Sequence, residues 1–132
     1  MSRNGKSYTL PDRARPLASY PHLREANGFI FVSGISARQY DGSIRGVGDT
    51  AEQTRAVIEN LQILLQGVGA DLDCLVNITT YLMRMNDYAI YNEAYNDYFD
   101  AETGPTRTTV GVDDLPGKQL ILEMSAIALK PT

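Results

Sequence analysis

Sulfur and imidazole are scarce in this chain. Its 132 residues include one cysteine, Cys74, and one histidine, His22. A lone thiol cannot close an internal disulfide, which suits a reducing compartment. One thiol and one imidazole are too few for a structural zinc site. No apolar run is long enough to span a bilayer, and the N-terminus lacks the apolar core of a signal peptide, so a cytoplasmic protein with no membrane partner is expected. Basic residues are not in excess either. The net charge is −4 and the lysines and arginines are scattered, which speaks against nucleic acid as the main partner. No internal repeat or low-complexity segment is visible.

What is present reads as one globular domain. The composition is 43% hydrophobic and 21% charged, enough apolar surface for a single core. Residues 1–16 read as a loosely held arm, basic and interrupted by Pro11 and Pro16. Residues 17–132 form the domain. A first strand is expected over 17–26, confined to an edge or bulge by Pro21. His22 reads as a hydrogen-bonded structural or surface histidine. Asn27-Gly28 marks a hairpin. Residues 29–35 are apolar on both faces, as in a covered central strand, with Gly34 marking a bulge or a close approach. After a polar loop beginning near Arg38, Asp49 or Thr50 caps a helix. Val57, Ile58, Leu61, Leu64, Leu65 and Val68 follow helical spacing along it, and Gly67 and Gly69 end it.

Residues 75–83 alternate as a strand, with Val76, Ile78, Thr80 and Leu82 on one face. Cys74 enters it as a small packing residue. A second helix is expected from Asn86-Asp87 to Phe99, with Tyr88, Tyr91, Tyr95 and Phe99 on one stripe. Asn92 lies within that stripe, so it either bonds a neighbouring strand end or edges a pocket.

The most informative stretch is Gly104-Pro105-Thr106-Arg107-Thr108-Thr109-Val110. A turn launches a β-branched strand whose second residue is an arginine, with Arg107 and Thr109 on one face. A guanidinium in a sheet calls for an anion, and its planar fork suits a carboxylate. An internal ion pair and a ligand anchor both remain open. In the last strand, expected over 120–129, Glu123 is the only charge in ten residues. Burial would raise its pKa and a nearby arginine would lower it. It is either a general acid/base or the partner of Arg107 in a buried pair, since their strands are successive.

The expected order, ββαβαββ, is an α+β domain: a mixed sheet with two helices on one face. Several strands are apolar on both sides, yet two helices cover only one face. Another copy of the chain is therefore expected on the second.

With Arg107 and Glu123 placed, the chain resembles the RidA/YjgF family of enamine/imine deaminases. The resemblance rests on Phe31-Val32-Ser33-Gly34, Gln53 to Asn60, Tyr91-Asn92-Glu93, Gly104 to Thr109 and Leu122 to Ala128. Tyr20-Pro21-His22, Phe31 to Arg38 and Glu52 to Asn60 are most similar to the 2-aminomuconate deaminases within it. The resemblance implies a chorismate-mutase-like fold, a homotrimer with a central β-barrel and sites between subunits. It implies that Arg107 holds a substrate carboxylate, that Glu123 positions or activates water, and that Tyr20, Ser33 and Asn92 line the pocket. Thr109 stands where many members carry a cysteine.

The implied activity is hydrolytic conversion of 2-aminomuconate to 4-oxalocrotonate and ammonia, in aromatic catabolism, with no metal or organic cofactor. Arg38 is a candidate for the distal carboxylate, against the alternative of an exposed loop arginine. The competing readings are a general 2-aminoacrylate and 2-imino-acid deaminase and a non-catalytic trimeric module that binds a small carboxylate.

Overall fold

The computed structural model describes residues 5–132. Eight strands and helices follow in the order β1 (Lys6–Tyr8), β2 (Leu23–Ala26), β3 (Phe29–Ile35), α1 (Thr50–Gln66), β4 (Leu75–Leu82), α2 (Tyr88–Tyr95), β5 (Thr106–Gly111) and β6 (Leu122–Leu129). The strands form one mixed sheet in the order β1-β2-β3-β6-β4-β5. This is the expected α+β architecture. No helix among the described residues is long and apolar enough to cross a membrane.

Local chemistry explains most element ends. Asn27 and Gly28 have φ of 57° and 84°, and they turn β2 into β3 through a two-residue hairpin. Asp49 caps α1 by accepting the Glu52 N–H at 3.0 Å. Along α1, Val57, Ile58, Leu61 and Leu65 are fully buried. Each contributes about 1.5–3 kcal/mol through burial. They pack on Ile78 and Leu82 of β4 and on Leu122 and Met124 of β6, all in the same core.

Several elements differ from the sequence reading. Residues 1–4 of the expected arm lie outside the described residues. Beyond them the segment is held rather than loose, since Lys6–Tyr8 pairs antiparallel with β2. The first strand of the domain begins only at Leu23, because Pro21 has no N–H for a ladder. In β4 a bulge between Leu75 and Asn77 turns Val76 outward, and Leu75 takes the buried place. Cys74 belongs to a short 3-10 turn before that strand. The regular part of α2 ends at Tyr95, yet the Phe99 ring still lies 4.7 Å from that of Tyr95.

The other face of the sheet is open. Phe29, Phe31 and Leu129 remain 40%, 46% and 51% exposed, and Phe29 pairs directly with Leu129 across β3 and β6. The uncovered apolar face expected from two helices on one side of the sheet is present, and β1 adds a sixth strand to the five expected.

Candidate functional site

Two groups of predicted residues stand at different places. The first surrounds Glu123. Strand β3 carries one extra residue between Val32 and Ile35, where it pairs with Ala126 and Met124 of β6. The bulge brings Gly34 against the Glu123 side chain so closely that a Cβ at position 34 would collide with Oε1. Ser33 is fixed by the same bulge. Its Oγ donates to the Pro21 carbonyl at 2.7 Å, and its N–H donates to the His22 carbonyl at 3.0 Å. Tyr20, Ser33, Gly34, Arg38, Leu120 and Glu123 line a hollow of about 290 Å³. Arg38 is tethered there by one bond from Nη2 to the Arg15 carbonyl, at 2.5 Å.

Glu123 is half-buried, and no described lysine or arginine pairs with it. Burial pushes its carboxyl above the ordinary glutamate value. With no cation paired to it among the described residues to hold it ionised, it accepts and releases a proton nearer neutrality than an exposed glutamate does.

The second group surrounds Arg107. Its guanidinium lies over the rings of Tyr88, Tyr91 and Tyr95, with centroid distances of 5.7, 4.9 and 4.7 Å. Nη2 donates to Asn92 Oδ1 at 2.8 Å and to the Tyr88 hydroxyl at 3.1 Å. Nε and Nη1 have no hydrogen-bond partner among the described residues. An arginine with one amino group held and others unspent is oriented for an incoming anion. Thr109 stands on the same face, where its hydroxyl meets that of Tyr91 at 3.2 Å. Tyr91 in turn donates to Thr80 at 2.7 Å, which satisfies a buried hydroxyl.

The expected meeting of Arg107 and Glu123 within one chain does not occur. Strand β4 lies between β5 and β6, so the two strands are not neighbours. Arg107 pairs with the buried Ile78, on the helix side, whereas Glu123 pairs with Tyr81, on the open side. The cause is the β4–α2–β5 crossover. It places β5 parallel to β4 and outside it, and β6 returns between β3 and β4. Tyr20, Ser33 and Arg38 gather with Glu123, and Asn92 and Thr109 gather with Arg107.

Two positioning features were not anticipated. Gln53, near the start of α1, is fully buried. It donates to the Gln119 carbonyl at 2.7 Å and accepts from the Ile121 N–H at 2.8 Å, which fixes the entry to β6 and hence Glu123. Its place four residues before Val57, on the apolar stripe, was the available signal. The tyrosine stripe was visible in the sequence, but its place beneath Arg107 had no signal, because helix and strand meet only after folding.

The family model described as Endoribonuclease L-PSP matches residues 11–130. A RutC family protein of Pyrococcus abyssi is 42% identical over 117 residues, covering 88% of this chain and 90% of its own. The 3-aminoacrylate deaminase RutC of Acinetobacter baylyi is 32% identical over 124 residues, covering 93% and 97%. Among solved structures, the yeast protein YEO7 superposes with a TM-score of 0.88 at 29% identity, over 96% of this chain and 98% of that one. Escherichia coli TdcF with bound serine superposes with a TM-score of 0.83 at 28% identity, over 96% and 100%.

Proposed function

Because this chain belongs to the RidA/YjgF family, we propose that it is a hydrolytic deaminase of small enamine and imine carboxylates, of which 2-aminoacrylate is the general type. The observation that carries the reading is Glu123: a half-buried carboxylate with a raised pKa and no ion-pair partner among the described residues, held over Gly34 at the edge of a hollow. The name of the Acinetobacter relative, a deaminase of an enamine acid, and the serine bound to TdcF support a small carboxylate ligand.

The enamine tautomerises to the imine. Glu123 takes a proton from water as the oxygen bonds to the imine carbon. Glu123 returns that proton to nitrogen to give the neutral carbinolamine, then moves the hydroxyl proton to nitrogen as the C–N bond breaks, so ammonia leaves and the water oxygen remains as the carbonyl of the 2-oxo acid. Arg107 holds the adjacent carboxylate, and Thr109 and Ser33 border it.

The two half-sites belong together across copies of the chain. The open sheet face, with Phe29, Phe31 and Leu129, supports packing against another copy. In a homotrimer with the sheets inside, Arg107 of one copy serves Glu123 of its neighbour. A stable monomer in size-exclusion chromatography would remove this assembly.

A narrower reading is favoured by Arg38, which lines the Glu123 hollow. A second cation there suits a dicarboxylate such as 2-aminomuconate, giving 4-oxalocrotonate. Arg38→Ala should then raise KM for the dicarboxylate and leave that for a small mono-acid imine unchanged. Ammonia release from 2-aminoacrylate, compared with 2-aminomuconate, is the direct test. Binding without release would instead support a non-catalytic module. The net charge of −4 weighs against ribonuclease activity, despite the description of the family model.

A further inference from the structure

The Glu123 hollow does not end at Gly34. A second cavity, of about 440 Å³, adjoins it, and Tyr20, Ser33, Gly34, Ser36 and Arg38 line both. Small-molecule sites usually span roughly 300–1,000 Å³, so the hollow alone is slightly small and the second cavity falls within the range. Ile35 and Leu64 give this cavity an apolar floor continuous with the core. Arg13, Ala14 and Pro16 of the N-terminal segment form another wall.

That wall is fastened by His22. Its Nδ1 accepts the Leu10 N–H at 2.9 Å, and its Nε2 donates to the Ala14 carbonyl at 2.8 Å. Both ring nitrogens are thus used, which fixes the neutral tautomer.

Two arginines line this space. Arg38 stands at the junction of the two cavities, and Arg13 stands in the wall, where its Nε donates to the Asp12 carbonyl at 3.0 Å. Neither forms an ion pair among the described residues. The acid lining the cavity, Asp41, is turned onto Ser43, whose N–H and Oγ donate to it at 3.0 and 2.6 Å. Spare positive charge beside an apolar floor suits an aliphatic chain ending in an anion.

Building on the deaminase reading, we propose that the cavity beneath the N-terminal segment is a tail subsite. It takes the carbon chain and terminal carboxylate of an extended enamine or imine acid whose reacting end lies at Glu123. Arg38 and Arg13 receive the terminal carboxylate.

The test uses two unreactive probes, hexanoate and hexanedioate, titrated calorimetrically into the full-length protein. Hexanedioate should bind about fivefold more tightly than hexanoate, the upper range for a partly exposed ion pair. Arg13→Gln should reduce that advantage and leave the hexanoate Kd where it was. Equal affinity for the two probes, or equal weakening of both by Arg13→Gln, would overturn the subsite. Ammonia release from 2-aminoacrylate is measured alongside. Its absence, with the probe preference intact, would refute the deaminase reading while leaving the subsite standing.

Discussion

Mixing two disabled variants tests whether Arg107 and Glu123 act together across copies. Arg107→Ala removes the guanidinium that meets the substrate carboxylate. A hydrogen bond to a charged group contributes about 1.5–3 kcal/mol, so kcat/KM should fall by roughly 10- to 150-fold. Glu123→Gln removes the proton carrier and should cost a further factor of about 100 or more in its own background. The Arg107 variant alone should therefore keep about a tenth of wild-type activity or less, and the Glu123 variant about a hundredth or less.

In a closed ring, one interface joins the Arg107 half of one copy to the Glu123 half of the next. Random equal mixing gives a given interface both intact halves with a probability of one half times one half. The mixture should therefore recover roughly a quarter of wild-type activity, whatever the ring size. The separation of the two residues by β4 and by the plane of the sheet makes this a sharp expectation. The assay is ammonia release after co-refolding, with mixed oligomers verified by native mass spectrometry. Mixed oligomers no more active than their parents would refute the composite site.

Four other outcomes follow from the geometry. Burial raises the Glu123 carboxyl above its ordinary 4.5, so its ionised form destabilises the fold at neutral pH. Its contribution to stability is fully present below that ordinary value and is lost as pH rises through the folded one. Glu123→Gln should therefore raise Tm at pH 7, with a gain that shrinks at acid pH; a lower Tm at pH 7 would contradict this. Gly34→Ala puts a methyl where the Glu123 carboxylate lies, so the carboxylate must swing aside; most activity should be lost with little change in Tm, read by turnover and thermal melts, and unchanged turnover would contradict this. Asn92→Ala leaves Arg107 Nη2 only its bond to the Tyr88 hydroxyl, so KM should rise roughly tenfold with kcat little changed, whereas Asn92→Asp should bind Arg107 internally and weaken the substrate further. His22→Ala removes the acceptor of the Leu10 amide, whose hydrogen exchange should accelerate well before that of β3.

The chain's local signals were strong where neighbours in sequence decide the outcome. Asn27-Gly28 needs left-handed backbone and forms the hairpin. Asp49 meets the first turn of α1. The spacing of Val57, Ile58, Leu61 and Leu65 selects one buried face. Gly34 marked the bulge, and the solitary Glu123 marked itself as a charge without an obvious reason to be in a strand. Each is a property of a few adjacent residues, and amino-acid type alone settles it.

Strand order is different in kind. Whether β5 lies beside β6 or beyond β4 depends on how α2 crosses the sheet, and no local spacing encodes that. Tertiary structure therefore decided that Arg107 lies on the helix side upon three tyrosine rings, and that Glu123 lies on the open side with Tyr20, Ser33 and Arg38. It also decided that the N-terminal segment, basic and proline-broken in sequence, is fastened through His22 as the wall of a cavity. The physical reason is that the sheet's face and edge are shared among strands distant in sequence, so each residue's surroundings exist only once all of them have paired.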